Sequence, residues 1–107
     1  MSRYHDGSVS LRAPIAVPVE IRAAARRCFR LAWNAGEDGV RLVQGCGFEP
    51  GRPVDVRFTL PGGDVLALAA RVDHGDADDD ELALLDPPAE ARQALRRYVH
   101  ERLGLPA

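Results

Sequence analysis

Between Val17 and Leu85 apolar residues recur mainly at every second position, in short runs separated by turn-forming residues. Only after Asp86-Pro87-Pro88 does the spacing change to three and four. A period of two belongs to strands with one buried face, and several such runs at close spacing predict a barrel or sandwich. Six runs are legible. Val17 to Ala23 alternates with Pro18, Glu20 and Arg22, and its proline suggests an edge strand. Cys28 to Trp33 places Phe29, Leu31 and Trp33 on one face and Cys28, Arg30 and Ala32 on the other. Val40 to Val43 is short. Val54, Val56, Phe58 and Leu60 form the clearest strand, and Pro61-Gly-Gly-Asp64 turns it back into Val65 to Val72 as an antiparallel neighbour. Glu81 to Leu85 is the sixth.

The closing segment has a different geometry. Ala91, Ala94, Leu95, Tyr98 and Val99 line one side of a helix, and Arg92, Arg96, Arg97 and Glu101 line the other. Asp86 is placed to cap this helix, proline suits its first turn, and Gly104 followed by Pro106 ends it. The expected architecture is mainly β, a six-stranded antiparallel barrel with a C-terminal α-helix. With 107 residues there is room for one core. Residues 1–10 are polar and aperiodic and read as a flexible arm, leaving 11–107 as a single domain.

Composition removes several classes of chemistry. All 14 basic residues are arginine, so there is neither a phosphate-loop lysine nor a Schiff-base lysine. Serine occurs only at positions 2, 8 and 10 and threonine only at 59, which leaves no core position for an acyl-transfer nucleophile. No catalytic residue is assigned. A formal net charge of -2 and an aromatic content of 6% argue against a nucleic-acid groove, which combines basic charge with stacking platforms. The longest apolar run, Val65 to Ala70, is far too short to cross a bilayer, and no signal region follows Met1. These features describe a cytoplasmic protein without membrane insertion. Cys28 and Cys46 form no CxxC pair and have no histidine at ligand spacing, so they read as two buried or partly buried free thiols.

Three clusters remain. Asp76, Asp78 and Asp80 have the alternate spacing of a calcium loop, but the glycine and the distal bidentate glutamate are missing, so the run reads as a solvated hairpin tip and no metal is assigned. Arg22, Arg26, Arg27 and Arg30, with Arg3 and Arg12, supply guanidinium groups that grip phosphate and stack on bases. Strand alternation puts Arg26 and Arg30 on one face, joined by Arg22 if the intervening turn keeps register. The loop Asn34-Ala-Gly36-Glu-Asp-Gly39 offers an amide for a base edge, and glycines that permit positive φ and close backbone approach.

Taken in order, the run from Arg12 to Leu103 resembles the PilZ domain family. In that family an RxxxR segment precedes a VPV strand, and a [D/N]xSxxG loop follows the second strand. Arg12-Ala-Pro-Ile-Ala16 stands before Val17-Pro-Val19, Asn34 to Gly39 holds the loop position, and Leu84 to Tyr98 resembles the closing segment. The resemblance implies a bacterial signalling module that regulates motility, exopolysaccharide or surface attachment, with cyclic di-GMP as ligand. It places ligand contacts at Arg12, Asn34, Gly36 and Gly39. Two positions depart from the pattern: Ala16 replaces the second arginine and Gly36 the serine. The literal RxxxR matches beginning at Arg22 and Arg26 follow the VPV segment, so the family role is not carried to them. Losing one bidentate arginine removes about 1–3 kcal/mol of binding, and losing the hydroxyl about 1 kcal/mol. The sequence therefore predicts a regulatory module, not an enzyme, with no cofactor. It acts through a protein partner, with weak or absent cyclic di-GMP binding, and the helix and the edge at Val17 to Ile21 are the contact surfaces. The alternative is a working receptor in which Arg3, Arg22 or Arg26 acts as a surrogate arginine.

Overall fold

In a computed structural model, residues 11–75 and 80–106 are described. Seven strands, β1 (Ala13–Pro14), β2 (Pro18–Ala23), β3 (Arg26–Ala35), β4 (Gly39–Leu42), β5 (Pro53–Thr59), β6 (Val65–Gly75) and β7 (Asp80–Leu84), are followed by the helix α1 (Ala89–Leu103). Every pairing is antiparallel. The order β3-β2-β5-β6-β7-β4 closes when β4 pairs back onto β3, so the expected six strands make the barrel. β1 lies on β3 beyond the end of β2: Ala13 faces Ala35, Pro14 faces Asn34, and Pro18 faces Leu31. It is therefore a short forerunner of β2 along one edge of β3.

Closure dictates which residues point inward. Val19, Ile21, Val40, Leu42, Val54, Val56, Phe58, Leu66, Leu68, Val72 and Leu82 fill the interior. A small barrel has space only for side chains that alternate in bulk, and β3 contributes the small ones, Ala32 and Ala35, with Cys28 partly buried against them. Phe29, Leu31 and Trp33 do share a face, and that face is the outside. A register shift in the β3–β4 pairing between Ala32 and Asn34 marks the end of this stripe.

Several local expectations are corrected. Pro18 does not mark a free edge, because β2 lies between β3 and β5. The β5 register begins only at Glu20, so no ladder bond is required of the proline on that side. Asp86 does not cap the helix. It takes a left-handed φ of 45°, Pro88 occupies the N-cap position, and no side chain bonds there. Aspartate tolerates that conformation better than most residues, so here it turns the chain. The two cysteines are not free thiols: Cys28 and Cys46 form a disulfide with Cα atoms 6.1 Å apart. Asp80, expected in a solvated tip, is buried at the start of β7 and accepts the Cys46 amide at 3.0 Å. Asp76 and Asp78 lie outside the described residues, and the described residues contain no metal-ligating cluster.

The helix behaves as its pattern requires. Ala91, Ala94, Leu95 and Val99 are buried, the Tyr98 hydroxyl donates to the Pro14 carbonyl at 2.6 Å, and Gly104 terminates the helix at φ 72°. No helix among the described residues is long and apolar enough to cross a membrane.

Candidate functional site

Arg12 leaves the short segment before β1 and reaches across the end of β3. Its Nη1 donates to Asn34 Oδ1 at 2.8 Å, its Nε to Asp38 Oδ1 at 2.9 Å, and its Nη2 to Glu81 Oε2 at 2.5 Å. Arg41 Nε donates to the other Glu81 oxygen at 3.1 Å. Two guanidinium groups and two carboxylates thus form one network, and Glu81 is its most enclosed member. Burial works against the charge on Arg12. The hydrogen bonds and Coulomb attraction from Glu81 and Asp38 outweigh burial together, so its pKa is raised above the ordinary arginine value.

The β-sheet registers explain the convergence. Asn34 is a strand residue, paired with Pro14 on one side of β3 and Arg41 on the other, and not the loop residue that the motif spacing predicts. Arg41 in turn lies opposite Glu81 on β7. The two glycines serve close approach, and neither has positive φ. A Cβ on Gly36 would sit 2.2 Å from the Leu11 carbonyl oxygen. A Cβ on Gly39 would meet Arg12 Nη2 and the Leu82 carbonyl oxygen, each at 2.7 Å. Backbone therefore passes directly over the position where the family pattern carries serine.

The structure brings Arg12, Asn34, Gly36 and Gly39 together and leaves the arginine cluster elsewhere. Arg22 and Arg26 sit at the other end of the β2–β3 hairpin, eight positions along the strand from Asn34 for Arg26, or about 26 Å. Nor do they share a face: Arg22 lies opposite Arg27, whereas Arg26 lies opposite Ala23. Arg26 stacks over Phe48 at 4.5 Å and donates to the Cys46 carbonyl at 2.9 Å. Arg3 lies outside the described residues. Ala16 is exposed and brings no charge.

Sequence reasoning missed Glu81 and Arg41, whose pairing depends on β4 and β7 being neighbours across forty residues. It also missed the outer face of β3. Phe29, Leu31, Trp33 and Val43 are 57%, 48%, 46% and 49% exposed, and the Val43 amide, just past the end of β4, bonds the Leu31 carbonyl, so Val43 adjoins the β3 stripe. Arg27 and Arg41 flank the stripe over the Phe29 and Trp33 rings.

A sequence model of the PilZ domain matches residues 9–101. No curated protein matches the sequence. Among solved structures, the fold is similar to the Bacillus subtilis inhibitor of motility, MotI/DgrA, with a TM-score of 0.78 and 19% identity. That likeness covers 96% of this chain and 52% of the other, so this chain spans about half its length. It is also similar to the PilZ domain of CeSA from a cellulose-synthesizing bacterium, with a TM-score of 0.66 and 18% identity over 87% and 95% of the two chains. The matched span, the closed six-stranded barrel and the terminal helix lead to one conclusion: the chain belongs to the PilZ domain family.

Proposed function

We propose that the chain is a single-domain regulatory module of the cytoplasm, acting through protein contacts and not catalysis, with weak or absent binding of cyclic di-GMP. The observation that carries this reading is the state of Arg12. A receptor for a cyclic dinucleotide needs guanidinium groups turned toward phosphate or guanine. The one arginine retained from the family motif instead donates to Glu81, Asp38 and Asn34. A ligand would have to displace carboxylates and carry its own negative charge into a site already holding two. Ala16 and Gly36 stand in the other motif positions, and the second guanidinium nearby, that of Arg41, is itself paired with Glu81.

The β3 stripe supports the protein-contact half of the reading, since contiguous exposed apolar side chains mark interaction sites. It replaces the edge of β2, which is paired on both sides over Glu20 to Arg22. MotI/DgrA, which shares this fold, is an inhibitor of motility, and a regulatory role for the present chain agrees with that.

Calorimetric titration with cyclic di-GMP tests the proposal. The expected result is no saturable binding tighter than about 100 μM. Saturable micromolar binding that Arg12→Ala abolishes would establish the alternative, a receptor built on Arg12, Asn34, Gly39 and a surrogate arginine.

A further inference from the structure

We infer that the Cys28–Cys46 disulfide is a redox latch, closing the Val43–Arg52 loop over one end of the barrel when oxidised and releasing it when reduced. The bond joins β3 to a segment that belongs to no strand. That segment is a plug. Cys46 and Phe48 are buried in the barrel core, while Gln44, Gly47, Glu49 and Pro50 between and around them are exposed.

Non-covalent contacts define where the loop returns after release. Arg26 donates to the Cys46 carbonyl at 2.9 Å, Arg30 to the Gly45 carbonyl at 3.2 Å, and the Cys46 amide to Asp80 at 3.0 Å. At the far end Gly51 and Arg52 exchange backbone hydrogen bonds with Val72. The loop is therefore hinged at Arg52 and seated by three polar contacts around Cys46, with the disulfide as its covalent fastening. The six-stranded ladder closes without it, so opening the bond leaves the barrel hydrogen bonds in place.

The chemistry is thiol–disulfide exchange with a dithiol reductant. Its thiolate attacks Cys28 Sγ, the partly buried and more accessible sulfur, and Cys46 leaves as a thiolate that takes up a proton. The reductant's second thiol then resolves the mixed disulfide and frees Cys28. Two electrons and two protons pass to the protein, and the reductant becomes a disulfide. In a reducing compartment a disulfide that cycles is a sensing element more often than a permanent staple.

The latch bears on the proposed contact face, since Cys28 precedes Phe29 and the loop begins at Val43. The test needs no partner, so it can fail without touching that reading, and the reverse also holds. Native protein is treated with dithiothreitol, its thiols are counted by alkylation and mass spectrometry, and amide exchange is followed by segment. The expected result is two thiols released without denaturant and exchange in residues 44–49 faster by about one to two orders of magnitude, with the Gly51 amide, β5 and β6 unchanged. Cys46→Ser should show the fast loop without reductant and no further response. Three outcomes would overturn the latch: two free thiols before any reductant, a bond that yields only after denaturation, or reduction that accelerates exchange throughout the barrel. The wild-type measurement stands even if the variant does not fold.

Discussion

Arg12 and Glu81 show how an arginine at a motif position can be satisfied by the protein's own carboxylates. A guanidinium partly shielded from water needs an anion nearby, and here the protein supplies the carboxylates itself. Arg12→Ala would leave Glu81 with Arg41 alone and should lower unfolding free energy by about 1–3 kcal/mol, discounted because the pair is partly exposed. The raised Arg12 pKa sets the sign of the pH dependence. Its contribution is fully present below the ordinary arginine pKa and is lost only as pH rises through the still higher folded value. The stability difference between wild type and Arg12→Ala, from urea melts at about pH 6 and about pH 9, should therefore be flat. Gly36→Ser is the second residue-scale prediction. Restoring the family hydroxyl puts a Cβ against the Leu11 carbonyl and should cost about 1–3 kcal/mol in a thermal melt, with no gain in nucleotide binding.

At the scale of elements, alternation reveals which residues share a face but not which face is inside. The run from Cys28 to Trp33 has large apolar residues on one side and Cys28, Arg30 and Ala32 on the other, and a larger apolar set ordinarily goes inward. The barrel inverts this because β5 and β6 already fill its interior with Val54, Val56, Phe58, Leu66 and Leu68. Leu31→Asp should therefore change stability by no more than about 0.5 kcal/mol, whereas Ile21→Ala on the neighbouring strand should cost about 2–5 kcal/mol. Denaturant midpoints for the two variants decide whether the stripe faces out. The helix is legible for the opposite reason: its spacing, Gly104 and its arginine face are all local. Asp86 is ambiguous in sequence because aspartate before two prolines suits both a cap and a left-handed turn. The structural assignment predicts that Asp86→Gly is neutral or stabilising and Asp86→Ala costs about 1 kcal/mol, where a capping role would penalise both. The disulfide and the Arg41–Glu81 pair leave no trace in local pattern, since each depends on which segments the closed barrel brings together.

For the whole molecule, the nearly balanced charge takes on a specific form. The net of -2 hides arginines distributed among carboxylates that belong to distant segments, as in Arg12 with Glu81 and Arg96 with Glu37. The second pair ties α1 to the Gly36–Gly39 turn, so helix, turn and Arg12 surround the same end of the barrel. If the fold is intact and only the anion site has been filled internally, then removing the internal anion and restoring the missing cation should recover the lost property. The variant that does so is Glu81→Gln combined with Ala16→Arg. Glutamine keeps one of the two hydrogen-bond acceptors now used by Arg12 and Arg41 while removing the charge that competes with phosphate. Arginine at the exposed position 16 restores the second guanidinium with no core to disturb. A native-state ligand raises stability by mass action, reaching about 2.7 kcal/mol at a hundredfold excess over its dissociation constant. Cyclic di-GMP should therefore raise the melting temperature of the double variant and leave the wild type unmoved. An equal shift in both would mean that Arg12 is available to the ligand as it stands. No shift in either would mean that the Leu11 backbone over Gly36, and not charge, closes the site.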